Sequence, residues 1–139
     1  MGIKKVIWNT LSGEEKWDIA LERTNGHNRF KQYKETCIEN RTLIGEMTEY
    51  LDKHNITPFF VFFPFAELYN KQIDPSYKTE LLDALESLPY SVEFLDMNDY
   101  KGIFDDSDFM DADHLNMQGA VKVTEFLNEF MKILGGGKA

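Results

Sequence analysis

Between positions 105 and 114 the chain reads DDSDFMDADH, five aspartates and one of only three histidines within ten residues. Three chemistries suit such a mixture. Oxygen-rich loops hold calcium or magnesium, and an EF-hand loop needs a glycine at its sixth position and a glutamate at its twelfth. Counting from Asp111 puts Asn116 sixth and Lys122 twelfth, so that register fails and only a looser aspartate-built site stays open. Transition metals want more imidazole or thiolate than this loop holds, because His27, His54 and the single Cys37 belong to another segment. The third chemistry is general-base catalysis. A histidine that takes up a proton must be held in one tautomer, and a carboxylate accepting its Nδ1 hydrogen does this while stabilising the imidazolium. Asp111, three residues before His114, has that spacing. A solvated acidic loop with Asn116 capping a following helix needs no function, and the residues alone leave both readings open.

The elements around the loop say where it sits. Phe30, Tyr33, Cys37, Asn40, Ile44, Met47 and Leu51 step by three and four, which predicts one long amphipathic helix from about 27 to 54. Its stripe is apolar except for Asn40, an amide that either bridges neighbouring backbone or looks into a site. The run TPFFVFF at 57–63 has the length and composition of a strand covered on both faces. Asp74 and Pro75 open a second helix carrying Leu81, Leu82, Leu85 and Leu88. A second strand is expected at 91–96. A last helix from about Met117 presents Ala120, Val123, Leu127, Phe130 and Leu134, with Gly135 to Gly137 ending it. Residues 3–9, IKKVIWN, could form a short strand, and 1–26 as a whole is a lead-in without a clean period.

Helix, strand, helix, strand, helix is the order of an α/β protein, here expected to be three-layered, a parallel sheet with helices on both faces. In such sheets reacting groups gather beyond the carboxyl ends of the strands, where the loops at 64–70 and 97–116 both fall. The chain of 139 residues is expected to form a single domain.

Composition narrows the partners. With 15 Lys plus Arg against 24 Asp plus Glu, the formal charge is -9, and no basic stripe is present to neutralise phosphates, so nucleic acid is not an expected partner. One cysteine cannot form an internal disulfide or a multi-cysteine zinc site, and no metal or other cofactor is called for. The longest apolar run, PFFVFFPFA at 58–66, is far short of the roughly 20 residues that span a bilayer. The start MGIKKVIWNTL has neither the apolar length of a signal peptide nor the Ser/Thr of a myristoylation motif, so no targeting signal is read from it.

Asp111-Ala112-Asp113-His114-Leu115-Asn116-Met117-Gln118-Gly119-Ala120 resembles the last conserved block of the SGNH, or GDSL-like, hydrolases and acyltransferases. There an Asp precedes the catalytic His by three, and an Asn or Ser and a Gly open the final helix. The DHLN..GA variant looks closest to SGNH-like proteins of bacterial cell-surface polymer modification, including the D-alanyl transfer proteins of teichoic acid synthesis. The resemblance runs over 27–134 in element order, but only the ten-residue block is specific. It implies a flavodoxin-like sheet and a Ser-His-Asp triad in which Asp111 is the acid and His114 the base. The reaction would be hydrolysis or transfer of O-acyl groups on carbohydrate or cell-envelope polymers, at the cell surface or envelope. No Gly-Asp-Ser turn occurs. Ser12 in TLSGEE is the only serine that comes soon after a possible strand, and Asn40 is the candidate oxyanion donor. The expectation that follows is an incomplete domain, the carboxyl-terminal part of an SGNH-like domain that belongs with the rest of a larger protein. A non-catalytic α/β binding module is the alternative.

Overall fold

The computed structural model describes residues 7–136. Five helices and two strands follow one another as α1 (Gly13–Asn28), α2 (Lys34–Lys53), β1 (Phe59–Phe62), α3 (Glu67–Asn70), α4 (Ser76–Glu86), β2 (Glu93–Asp96) and α5 (Met117–Gly136). β1 and β2 pair in parallel, Phe59 opposite Glu93 and Phe62 opposite Asp96. The protein is therefore mixed α/β with a parallel strand pair, as the alternation of patterns predicts. No helix among the described residues is long and apolar enough to cross a membrane.

The expected strand at 3–9 lies largely outside the described residues, and its last part is a 3-10 turn, Trp8–Thr10. The lead-in that lacked a period holds a full helix. Ser12 accepts the Glu15 N–H while the Glu15 carboxylate accepts the Ser12 N–H, a capping box that fixes where α1 begins. Ser-x-x-Glu was present in the sequence as a signal of it.

The single helix expected over 27–54 is two. α1 stops at Asn28, a 3-10 turn covers Arg29–Gln32, and Tyr33 leaves the helical region at φ -87, ψ 65 before α2 starts. A tertiary tie coincides with the break, since the Asn28 side chain accepts from the Asp74 N–H and donates to the Gln72 carbonyl. The inward stripe also differs from the one expected. Phe30, Tyr33 and Met47 are each about half exposed, and Asn40 is exposed. α2 instead buries Thr48, whose hydroxyl bonds the carbonyls of Ile44 and Gly45 so that no polar group is left unpaired. Gly45 lies on the same side, where an added Cβ would sit 3.9 Å from Leu88.

Two apolar clusters hold the fold. In one, α5 packs Val123, Phe126, Leu127 and Phe130 on Leu95 and Met97 and on the Phe59 and Val61 face of β1. This is the middle of the stripe expected for the last helix, whereas Ala120 and Leu134 at its two ends are exposed. In the other, Trp8, Ala20, Ala66, Tyr69, Phe109 and Ala112 join α1, α3 and the loop before α5. The second cluster is built just past the carboxyl end of β1, so the acidic loop rests on a buried foundation.

Candidate functional site

Beyond β2 the chain turns at once. Asn98 has both of its amide hydrogens and its carbonyl oxygen engaged, donating to the Phe63 carbonyl and the Asp96 carboxylate and accepting from the Phe65 N–H and the Asn70 amide. That ties the loops after both strands together. Farther along, Asp108 is fully buried, and it accepts from the Asp105 N–H, the Gln118 amide and the Lys122 ammonium at 2.7 Å. Asn116 caps α5 as expected, accepting the Gly119 N–H and donating to the carbonyls of Ser107 and Phe109. Gly119 is required there, because a Cβ would lie 2.2 Å from the Asp108 carbonyl oxygen.

This frame holds a short loop between the paired residues Phe109 and Leu115, closed by the Met110 N–H on the His114 carbonyl. Ala112, fully buried, accepts the Ala66 N–H and pins the loop to the end of β1. Asp111 closes a tight turn: its Oδ1 accepts the N–H groups of Asp113 and His114 at 3.1 and 2.8 Å. The same carboxylate faces the His114 ring, with Nδ1 at 3.0 and 3.1 Å from its two oxygens. A carboxylate can only accept, so Nδ1 carries the hydrogen and the Nε2 lone pair is left without a bonded partner among the described residues, on a side chain that is 55 % exposed. The spacing of Asp111 and His114 thus yields an imidazole held by the carboxylate three residues before it.

Four further residues complete the cluster. Arg23 of α1 grips Asp113 with a two-bond fork at 2.8 and 2.6 Å. The Asp113 side chain is 7 % exposed, with His114 Nδ1 at 3.6 Å and His27 Nε2 at 4.0 Å. Burial pushes its carboxyl up, yet Arg23 and the two imidazoles outweigh that and hold it below the usual carboxylate range. His27 Nδ1 lies 2.5 Å from the Tyr69 hydroxyl. Burial, and next the charge of Asp113, push the Tyr69 phenol up to about 12, so it keeps its proton in its hydrogen bond with His27. Arg23, His27 and Tyr69 escaped the sequence reading because their partners are remote along the chain. Arg23 and Asp113, for instance, are 90 residues apart.

Asp111, Asp113 and His114 can bring three ligand atoms within 4.8 Å of one another. The donor set nevertheless fits a cation poorly. Both Asp113 oxygens are in the Arg23 fork, a positive charge already stands beside them, and the His114 nitrogen nearest the cluster is turned to Asp111.

Ser12 and Asn40 are placed elsewhere. The Ser12 hydroxyl is an exposed helix cap, 2.9 Å from the Glu15 carboxylate. Along α1 it lies roughly 16 Å from Arg23, which marks the His114 end of the helix. Asn40 sits on α2 among Cys37, Arg41 and Ile44, beside a groove toward α4. Among the described residues no serine or threonine hydroxyl is bonded to the His114 ring.

A cleft of about 980 Å³ opens past the carboxyl ends of both strands. It reaches His27, Tyr69 and Phe109, but His114 does not line it. Compared with protein families, curated proteins and solved structures, the chain matches none of them.

Proposed function

We propose that this chain contributes the Asp–His pair of an SGNH-like serine esterase or acyltransferase acting on O-acyl groups of carbohydrate or cell-envelope polymers. The observation that carries the reading is the Asp111 carboxylate on His114 Nδ1, with Nε2 unbonded on an exposed side chain in a loop past the carboxyl edge of a parallel strand pair. In the proposed reaction His114 Nε2 takes the proton of an attacking serine and returns it to the leaving alcohol, while Asp111 stabilises the imidazolium. The serine would come from outside the described residues, in a three-layer, flavodoxin-like domain of which this chain is the carboxyl-terminal part. Ser12 is a poor source, since its hydroxyl caps α1.

A second reading, a non-catalytic α/β binding module, is favoured by a different observation. The polar groups around the cleft are bonded to one another rather than aimed at a reacting centre.

Hydrolysis of p-nitrophenyl acetate separates the two. An oriented imidazole accelerates it even without a serine, so the rate should fall to background in His114→Ala and persist in Ser12→Ala. Fluorophosphonate labelling, where it occurs, should require His114 as well. A rate or labelling indifferent to His114→Ala would sink the catalytic reading and leave the binding module.

A further inference from the structure

The cleft past the strand ends has walls of hydrocarbon and rings: Phe62, Phe65, Leu81, Met97, Phe104 and Phe109. Most of its polar neighbours are already bonded. Asp96 is held by Lys78 and Asn98, Asp74 by Lys31 and Ser76, and the Tyr77 hydroxyl by the His27 carbonyl. The amides of Asn70 and Asn98 bond each other, and Tyr69 bonds His27. Among the described residues, Tyr100 and Lys101 at the rim and the side-chain oxygen of Asn70 are the lining groups without a bonded partner.

This combination selects a ligand class. A sugar, nucleotide or peptide backbone entering the cleft would lose hydrogen bonds to water and find few free donors or acceptors in return, at a cost for every polar group left unpaired. A hydrocarbon chain loses nothing and gains contact with the rings. The volume of about 980 Å³ falls at the upper end of the roughly 300–1,000 Å³ of small-molecule sites. We propose that this cleft binds a single linear fatty-acyl chain, its polar head at the rim beside Tyr100 and Lys101. The site is separate from His114 and does not depend on the esterase reading.

Titration calorimetry of the purified chain with hexanoate, octanoate, decanoate and dodecanoate tests this. Affinity should rise about fourfold for each added methylene, the gain expected for burying one such group, with one chain bound per protein. Leu81→Trp, which narrows the cleft, should weaken dodecanoate binding at least tenfold while the far-UV spectrum and melting temperature hold. His114→Ala should leave binding unchanged, which keeps this outcome distinct from the fate of the catalytic proposal. Methyl dodecanoate binding as well as the acid would identify an acyl ester as the natural source. A preference for the acid that is lost in Lys101→Ala would identify a free fatty acid. Affinity that does not rise with chain length, several chains bound per protein, or a dimer dispersed by Leu81→Trp would overturn the proposal. Should that variant fail to fold, the chain-length series on the unaltered protein decides alone.

Discussion

Removing the Arg23 side chain should destabilise the protein by an amount that grows with pH. Asp113 is 7 % exposed and Arg23 41 % exposed at the side chain, so the pair is neither a surface contact nor a sealed one. Exposed pairs contribute about 0–1 kcal/mol, and breaking fully buried ones costs about 3–5 kcal/mol. A half-exposed partner with two-bond geometry places Arg23→Ala near 2 kcal/mol at neutral pH, or roughly 6–10 °C in Tm for a domain of this size. The sign follows from Asp113. Its folded carboxyl lies below the ordinary value, so the stabilisation is fully present above the unfolded pKa of about 4 and is lost as pH falls through the folded one. Without Arg23 the burial that pushes Asp113 up is opposed only by the neighbouring imidazoles, and the variant should lose the gain that the native protein shows on leaving acid. Urea unfolding followed by circular dichroism between pH 3 and 7 reads the difference directly. Arg23→Lys, which keeps the charge without the fork, should recover part of the loss. A cost that is flat across this range, or below about 0.5 kcal/mol at pH 7, would refute the claim that this ion pair fastens the acidic loop to α1.

Other substitutions test the frame and the site. Gly119→Ala should cost about 2–3 kcal/mol in urea unfolding because its Cβ would meet the Asp108 backbone. Gly135→Ala on the same helix, with open space around it, should be neutral or stabilising by up to about 1 kcal/mol. Trp8→Ala, at a side chain 1 % exposed whose Nε1 bonds Asp106 at 3.0 Å, should cost about 3–5 kcal/mol by the same measurement. Asp111→Asn keeps an oxygen for the turn's N–H groups but not the charge on the ring. It should preserve the fold by circular dichroism while lowering the p-nitrophenyl acetate rate roughly tenfold or more.

How much of this was legible beforehand differs from element to element. The last helix, both strands and the oriented histidine were readable because each depends on local spacing: three-and-four steps from Val123 to Phe130, an unbroken run at Phe59–Phe62, and a turn from Asp111 to His114. The break at Tyr33 was not readable, since the helical period runs through it and the accompanying tie of Asn28 to Asp74 is tertiary. The buried face of α2 was misplaced for a related reason. A stripe of large residues was taken as the inward one, whereas α2 buries the small Thr48 and turns Gly45 toward Leu88. Arg23, His27 and Tyr69 carry no local signal, because only folding brings α1 and α3 against the acidic loop.

The central claim is that Asp111 holds His114 as a base with its Nε2 free. Long-range ¹H–¹⁵N correlation of the imidazoles reports the tautomer directly. The neutral ring of His114 should carry its hydrogen on Nδ1 in the native protein and revert toward the Nε2-protonated form in Asp111→Asn. A neutral His114 protonated on Nε2, unchanged by that substitution, would contradict the account.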